Sequence, residues 1–221
     1  MIVITGYTSK IAQEFVFVSM RENLYDDFYR CRVPADYPYT GAAPVYLPEF
    51  KEGWINPARE FPLDASHYLF CQGLLRPKRM QDQTEAERIE GFEVNLDSIV
   101  RACDAVLATN ENARICIIGS ESAYKGSFDD VYAVSKMLIH SYVERRKLAP
   151  EQQIVAISPG IIEDAGMTTR RTDQDRLDFR RAMHPMGRFL QSREVAELAH
   201  HLLFRQPYIR NTVIRMNGGL K

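Results

Sequence analysis

The chain has 221 residues, 45% of them hydrophobic and 26% charged, which is enough for one sizeable core and short for two, so composition points to a single α/β-sized domain without a separate substrate domain. A net charge of -1 leaves no electrostatic footprint for nucleic acid or a membrane surface. The four cysteines (Cys31, Cys71, Cys103, Cys116) stand singly, and the chain carries neither a signal-peptide pattern nor an apolar run of the ~20 residues that span a bilayer, so a soluble, reduced, cytoplasmic protein is expected.

The chain opens on "MIVITGYTSKIAQEF", a β-branched run from Ile2 to Thr5, a glycine, and an apolar helical pattern over Ile11–Arg21. Further strands are predicted at Phe28–Val33, Val45–Leu47, Tyr68–Cys71, Ile115–Ile118, Ile154–Ile157 and Thr212–Arg215, and helices at Glu85–Thr109, Tyr132–Leu148 and Glu194–Phe204. The middle strands are almost continuously apolar, as strands covered on both faces should be. The alternation therefore predicts an α/β fold, a doubly wound parallel sheet of about seven strands with helices on both faces. Sheets of this kind bind ligands beyond the carboxyl ends of their strands. Two stretches break the alternation. Six prolines (Pro34, Pro38, Pro44, Pro48, Pro57, Pro62) make the region 34–63 an extended loop. An irregular, arginine-rich stretch from Glu163 to Met186 leaves the carboxyl end of a strand, where a lid over a site belongs.

The segment "ICIIGSESAYKGSFDDVYAVSKMLIH" concentrates chemistry. A buried strand ends at Gly119–Ser120, and Tyr132 and Lys136 follow four apart, hence on one helix face. A phenol with an ordinary pKa near 10 is a poor acid–base group at neutral pH, but a neighbouring ammonium favours its ionised form. A Tyr and a Lys at this spacing also occur on many ordinary helices, so the context decides.

That context resembles the short-chain dehydrogenase/reductase family. "TGYTSKIA" is similar to its glycine-rich first turn, "FCQG" to its Asn-Ala-Gly stretch, and "VNL" carries its helix asparagine. "IIGS", "YAVSK", "SPG", "PMGRFLQSREVA" and "RMNGGL" continue the likeness in order through nearly the whole chain. The resemblance implies a Rossmann-like fold and an NAD(P)-dependent oxidoreductase that interconverts a carbonyl and a secondary alcohol. Tyr132 would be the general acid/base, Lys136 would bond the nicotinamide ribose and lower the Tyr pKa, Ser120 would polarise the substrate oxygen, and Asn95 would hold the water of a proton relay. Ser120 precedes Tyr132 by one position fewer than is common in the family, which keeps Ser122 as an alternative. Ser120 could also be a strand-end cap, and Asn95 could simply bond strand backbone.

For the cofactor, the resemblance points to Gly6, Thr8, Ser9, Lys10 and Ile11 in the first turn, to Cys71, Gln72 and Gly73, and to Pro159, Gly160 and Ile162, with Tyr132 and Lys136 contributing from the helix. Of the three turn glycines only Gly6 is present; Ala12 replaces the third, and Lys10 puts a cation where the second would admit the pyrophosphate. Lys10 either hinders or aids phosphate binding, or is a surface lysine. Arg30 and Arg32 at the second strand suit a 2′-phosphate, which tips the expectation to NADP over NAD, unless both face solvent. Ser122, Met167 and His184 are candidates to contact a small-molecule substrate, and no metal is expected because His140, His200 and His201 lack ligand spacing. The resemblance further suggests a homodimer or homotetramer joined through the long helices. Two rivals stay open: a non-catalytic, NADP(H)-binding or sensing member of the fold, and a nucleotide-sugar epimerase or dehydratase relative.

Overall fold

The computed structural model describes residues 1–21, 28–30 and 61–220, the backbone alone for 28–30. Among these residues six strands form one parallel sheet: β1 (Ile2–Thr5), β2 (Phe28–Arg30), β3 (His67–Phe70), β4 (Arg114–Ile118), β5 (Gln153–Pro159) and β6 (Thr212–Met216), in the order β2-β1-β3-β4-β5-β6. A single register line crosses it, Ile4 to Leu69 to Cys116 to Val155 to Thr212. The expected strand Val45–Leu47, the part of the proline-rich loop from 34 to 60, Cys31 and Arg32 lie outside the described residues, as does the Arg30 side chain.

The continuously apolar strands have the cause expected of them. Because successive side chains point to opposite faces, Ile4, Leu69, Cys116, Ile118, Val155 and Ile157 pack into one core, and Val3, Tyr68, Phe70, Ile115, Ile117 and Ile154 into another. The first core is covered by α1 (Lys10–Arg21), through Ile11, Phe15 and Val16, and by a late helix over Ser192–Arg205, through Val195, Ala199 and Leu203. The second is covered by helical segments over Ser98–Thr109 and Asp130–Arg145, through Ile99, Cys103, Ile139 and Val143. The sheet is thus doubly wound. Its strand order reverses between β1 and β3, and such a reversal opens a crevice at the carboxyl edge.

Two elements differ from the sequence expectation. The helix foreseen over Glu85–Thr109 is three pieces: α2 (Glu85–Phe92), a π turn (Glu93–Asp97) and α3 (Ser98–Thr109). The stretch Glu163–Met186 contains two short helices, Gly166–Thr169 and Gln174–Ala182. In the longer of them Leu177 alone is buried, too weak a pattern to announce a helix. A short helix, α4 (Ser122–Lys125), precedes α5 (Asp130–Arg145), and α6 (Gly166–Thr169), α7 (Gln174–Ala182) and α8 (Ser192–Arg205) complete the order. Among the described residues no helix is long and apolar enough to cross a membrane.

Candidate active site

β1 ends at Gly6, whose φ of +65° is a conformation that a side chain disfavours. Space forbids one as well, since a Cβ there would stand 2.3 Å from the backbone nitrogen of Gln72. The first turn is therefore pressed against the loop that follows β3, and Thr5 Oγ1 bonds Gln72 Oε1 across the same gap. Ser9 N–H donates to Gly6 O at 2.8 Å, and α1 begins at the next residue with no acidic side chain in its first turn. Thr8 is exposed at the turn, whereas the Ile11 side chain is spent in the core.

Gly73 marks where the expected catalytic groups converge. A Cβ on it would meet Met167 Cε at 3.2 Å, Tyr132 Cε2 at 3.8 Å and Asn95 Oδ1 at 3.9 Å. Asn95, fully buried on the π turn, accepts from Leu74 N at 2.7 Å and donates to Leu74 O at 2.8 Å, so its side chain holds the β3 loop by both backbone groups. That is the backbone role weighed for it from sequence. π turns of this kind recur at functional sites, because the extra residue redirects a side chain without ending the helix.

α5 starts at its cap Asp129, whose carboxylate accepts from Tyr132 N at 3.2 Å. Tyr132 and Lys136 then stand one turn apart, both buried, with the ammonium 5.7 Å from the phenol ring centroid. Lys136 Nζ donates to Ile118 O at 2.9 Å and to Gln72 O at 3.4 Å, joining the end of β4 to the β3 loop. Burial lowers its pKa to about 8. Burial also raises the Tyr132 phenol above its ordinary value; a hydrogen bond with the Ser120 hydroxyl opposes the rise and the Asp129 charge adds to it. The phenol is therefore raised by burial, and the lowering expected from Lys136 is not among the effects that act on it in this structure.

Ser120, and not Ser122, is the serine close enough to Tyr132 to oppose the rise of its pKa. Its Oγ also accepts from Ser122 N at 3.1 Å, so one hydroxyl both caps the turn and faces the phenol, and the neighbouring Ser122 contributes its amide. Behind it, Ser120 N–H donates to His140 Nε2 at 3.4 Å, and burial pushes the His140 pKa down to about 4, so the ring accepts as a neutral imidazole. Glu121, buried, accepts from Arg215 at 2.8 and 2.6 Å, from Asn217 at 3.1 Å and from Ser158 at 3.0 Å. This clamp fastens the loop after Ser120 to β5 and β6. Pro159 O accepts from Glu121 N at 2.9 Å, Gly160 N–H donates to Met216 O at 2.9 Å, and Ile162 bridges to Leu190.

Three expected contacts fall elsewhere. His184 packs against Phe189 and Gly218, and its Nδ1 accepts from Met186 N at 3.2 Å. Lys10 pairs with Glu14 at 2.9 Å, one turn along α1. Cys71 lies in the core, its thiol pKa raised by burial. Spacing arguments passed over Asp129 and Glu121 and weighed His140 only as a metal ligand, although Asp129 sits at the N-cap three residues before Tyr132 and His140 continues the Tyr132–Lys136 face at the next turn. Among the described residues, no group of three or more His, Cys, Asp or Glu side chains is placed to hold a metal ion. A shallow pocket lined by Leu63, Asp64 and Thr109 to Asn112 lies at the opposite, amino-terminal edge of β3 and β4.

The residues at the carboxyl edge fit a dinucleotide. Gly6 supplies the tight bend before a helix amino end, which favours phosphate. Gly73, without a side chain, leaves open the space bounded by Tyr132, Asn95 and Met167. No curated protein matches the chain. Solved structures of the same architecture include a glucose/ribitol dehydrogenase of the short-chain dehydrogenase/reductase type from Brucella melitensis (19% identity, 99% of this chain and 95% of that one, TM-score 0.78). A short-chain dehydrogenase family protein from Francisella tularensis (16%, 99% and 97%, 0.80) and the aldohexose dehydrogenase of Thermoplasma acidophilum (16%, 99% and 93%, 0.75) are similar to the same extent. At such identities the likeness establishes the fold. A family profile described as enoyl-(acyl carrier protein) reductase matches residues 67–221, the part that holds Asn95, Ser120, Tyr132 and Lys136. With this match across more than half its length, the chain belongs to the short-chain dehydrogenase/reductase family of oxidoreductases.

Proposed function

We propose that the chain is an NAD(P)-dependent oxidoreductase, one dinucleotide-binding domain that interconverts a carbonyl and a secondary alcohol with Tyr132 as general acid/base. The observation that carries this reading is the convergence of Tyr132, Asn95 and Met167 on the side-chain-free Gly73, with the Lys136 ammonium 5.7 Å from the phenol ring, all at the carboxyl edge of the sheet. A bound nicotinamide supplies the hydride carrier. The chain's own residues handle the proton and the orientation. Burial keeps the phenol protonated at neutral pH, so Tyr132 Oη holds a proton for a carbonyl oxygen and, in the reverse direction, receives one from an alcohol. Ser120, fixed by the Ser122 amide, offers its hydroxyl to the same substrate oxygen. Lys136, with a pKa of about 8, is mostly cationic at pH 7 and favours the phenolate as it forms.

Gly6, Thr8, Ser9 and Ile11 line the phosphate end, and Gln72, Gly73, Pro159, Gly160 and Ile162 the nicotinamide end. Arg30 and Arg32 favour NADP over NAD by the affinity of guanidinium for phosphate. Met167, beside Gly73 and Tyr132, faces the substrate. The protein works in the cytoplasm as a homodimer or homotetramer, a reading supported by exposed Phe128, Met137 and Leu138 on and beside α5. One observation favours the non-catalytic, NADP(H)-binding alternative: the second turn glycine is Lys10, and its ammonium is engaged with Glu14.

Titration of the purified protein with NADPH and NADP⁺, followed by a screen of carbonyls and secondary alcohols with wild type and Tyr132→Phe, separates the readings. A thermal shift equivalent to ~2.7 kcal/mol at a hundredfold excess over Kd is expected. Turnover that Tyr132→Phe abolishes supports catalysis, and turnover that survives the substitution refutes the assignment.

A further inference from the structure

We propose that Asp129 is a positioning residue that locks the catalytic tyrosine to the loop carrying Gly73, so that the two sides of the site keep one spacing. The proposal rests on the reading of Tyr132 given above.

A helix cap needs one side-chain oxygen bonded to an amide of the first turn, a task that serine performs as well as aspartate. Asp129 does more. Its Oδ1 accepts from Tyr132 N at 3.2 Å and from Gln83 Nε2 at 2.9 Å, and its Oδ2 reaches 53 residues back to accept from Arg76 N at 2.7 Å. Asp129 as a whole is 2% exposed, so these bonds form out of competition with water. Arg76 lies three residues beyond Gly73. Between them, Leu74 is held by Asn95 through both its amide and its carbonyl. The loop is therefore fixed twice within three residues, from the π turn and from the first turn of the Tyr132 helix. Movement at either anchor would change the gap that Gly73 leaves beside the Tyr132 ring.

The charge matters as well as the bonds. The groups facing the phenol are Ser120 from the end of β4, Lys136 from its own helix, neutral Asn95 and Met167 across Gly73, and Asp129. The nearby charges Arg76 and Asp130 are paired with Glu90 and Arg79. Asp129 opposes formation of the phenolate, so its removal makes Tyr132 easier to deprotonate.

Two full-length variants test this. Asp129→Ser keeps a cap for the Tyr132 amide and cannot reach Arg76. Asp129→Asn keeps the shape and loses the charge. Hydrogen exchange of the peptide covering 73–76 is expected to accelerate at least tenfold in Asp129→Ser while peptides from β4 and β5 stay as in wild type. In alcohol oxidation, kcat is expected to fall at least tenfold in Asp129→Ser, and the acid limb of kcat/KM against pH is expected to move to lower pH in Asp129→Asn. Unchanged exchange over 73–76 overturns the tether, and so does faster exchange with wild-type kcat and an unmoved limb. A Tyr132→Phe variant that turns over like wild type sinks the site assignment instead, and the exchange result still decides the tether.

Discussion

Gly119 and His140 are fitted to each other: a Cβ on Gly119 would stand 2.3 Å from His140 Nε2, the atom that accepts the Ser120 amide. The glycine is needed for close approach, because its φ lies outside the left-handed region. Overpacking a closed core costs about 1–3 kcal/mol. Gly119→Ala is expected to cost that much in urea unfolding followed by circular dichroism. In a His140→Ala background the same substitution is expected to cost less than half as much, since the clash with the ring is gone and only the 3.1 Å approach to the Ile157 carbonyl remains. Strictly additive costs would show that the ring is not what Gly119 makes room for.

Lys136 makes stability depend on alkaline pH. Its folded pKa, about 8, lies below the ordinary lysine value of 10.5, so the unfolded chain binds more protons between these values and stability rises with pH across that window. The penalty for the buried ammonium is fully present below about pH 8 and is relieved by about pH 10.5, on the order of 3 kcal/mol in all. The difference in unfolding free energy between wild type and Lys136→Met is expected to shift in favour of wild type from pH 8 to pH 10. A difference that stays flat over that range would mean the ammonium is better solvated than its burial implies.

Glu121 has the opposite dependence. Burial pushes its carboxyl up, but the hydrogen bonds from Arg215, Asn217 and Ser158 more than offset this and hold its pKa below the ordinary glutamate value of 4.5. A depressed carboxyl stabilises the fold above its unfolded pKa and loses that contribution as pH falls through the folded one. Glu121→Gln is expected to cost about 1.5–3 kcal/mol at pH 7, typical of hydrogen bonds to a charged group. The deficit is expected to shrink below about pH 4.5. An equal deficit at pH 7 and pH 3.5 would remove the ionic clamp from the explanation.

Lys10 occupies the place of a turn glycine and is engaged with Glu14 at 2.9 Å. A half-exposed pair one turn apart on a helix contributes a few tenths of a kcal/mol. Lys10→Ala is therefore expected to change the Kd for NADPH by less than about threefold, as measured by fluorescence titration. A tenfold weakening would show that the ammonium turns to the phosphates, and a tenfold gain that it obstructs them.

The sequence made the middle of the sheet legible because its strands obey a local rule: Ile115–Ile118 and Ile154–Ile157 are apolar on both faces and are covered on both faces. Ser120, Tyr132 and Lys136 were legible because a strand end and a one-turn spacing fix where they point. What escaped depends on partners distant in the chain. Nothing near Asp129 announces Arg76, and Gly119 reads as a strand-end glycine until His140 is seen against it. The helix Gln174–Ala182 was obscured because its surroundings bury Leu177 alone. The π turn leaves no composition signal, since one added residue displaces the apolar stripe without erasing it.

That π turn also constrains how the chain tolerates length changes. Each helical residue advances the face by about 100°. With the turn as it stands, Asn95 points at Leu74 while Ile99, Ala102, Cys103 and Val106 line the core. Deleting one residue between 93 and 97 would restore ordinary winding and rotate the two halves of the helix out of phase. Either the asparagine or the hydrophobic row would then face the wrong way, so this short segment should accept substitutions far more readily than an insertion or a deletion.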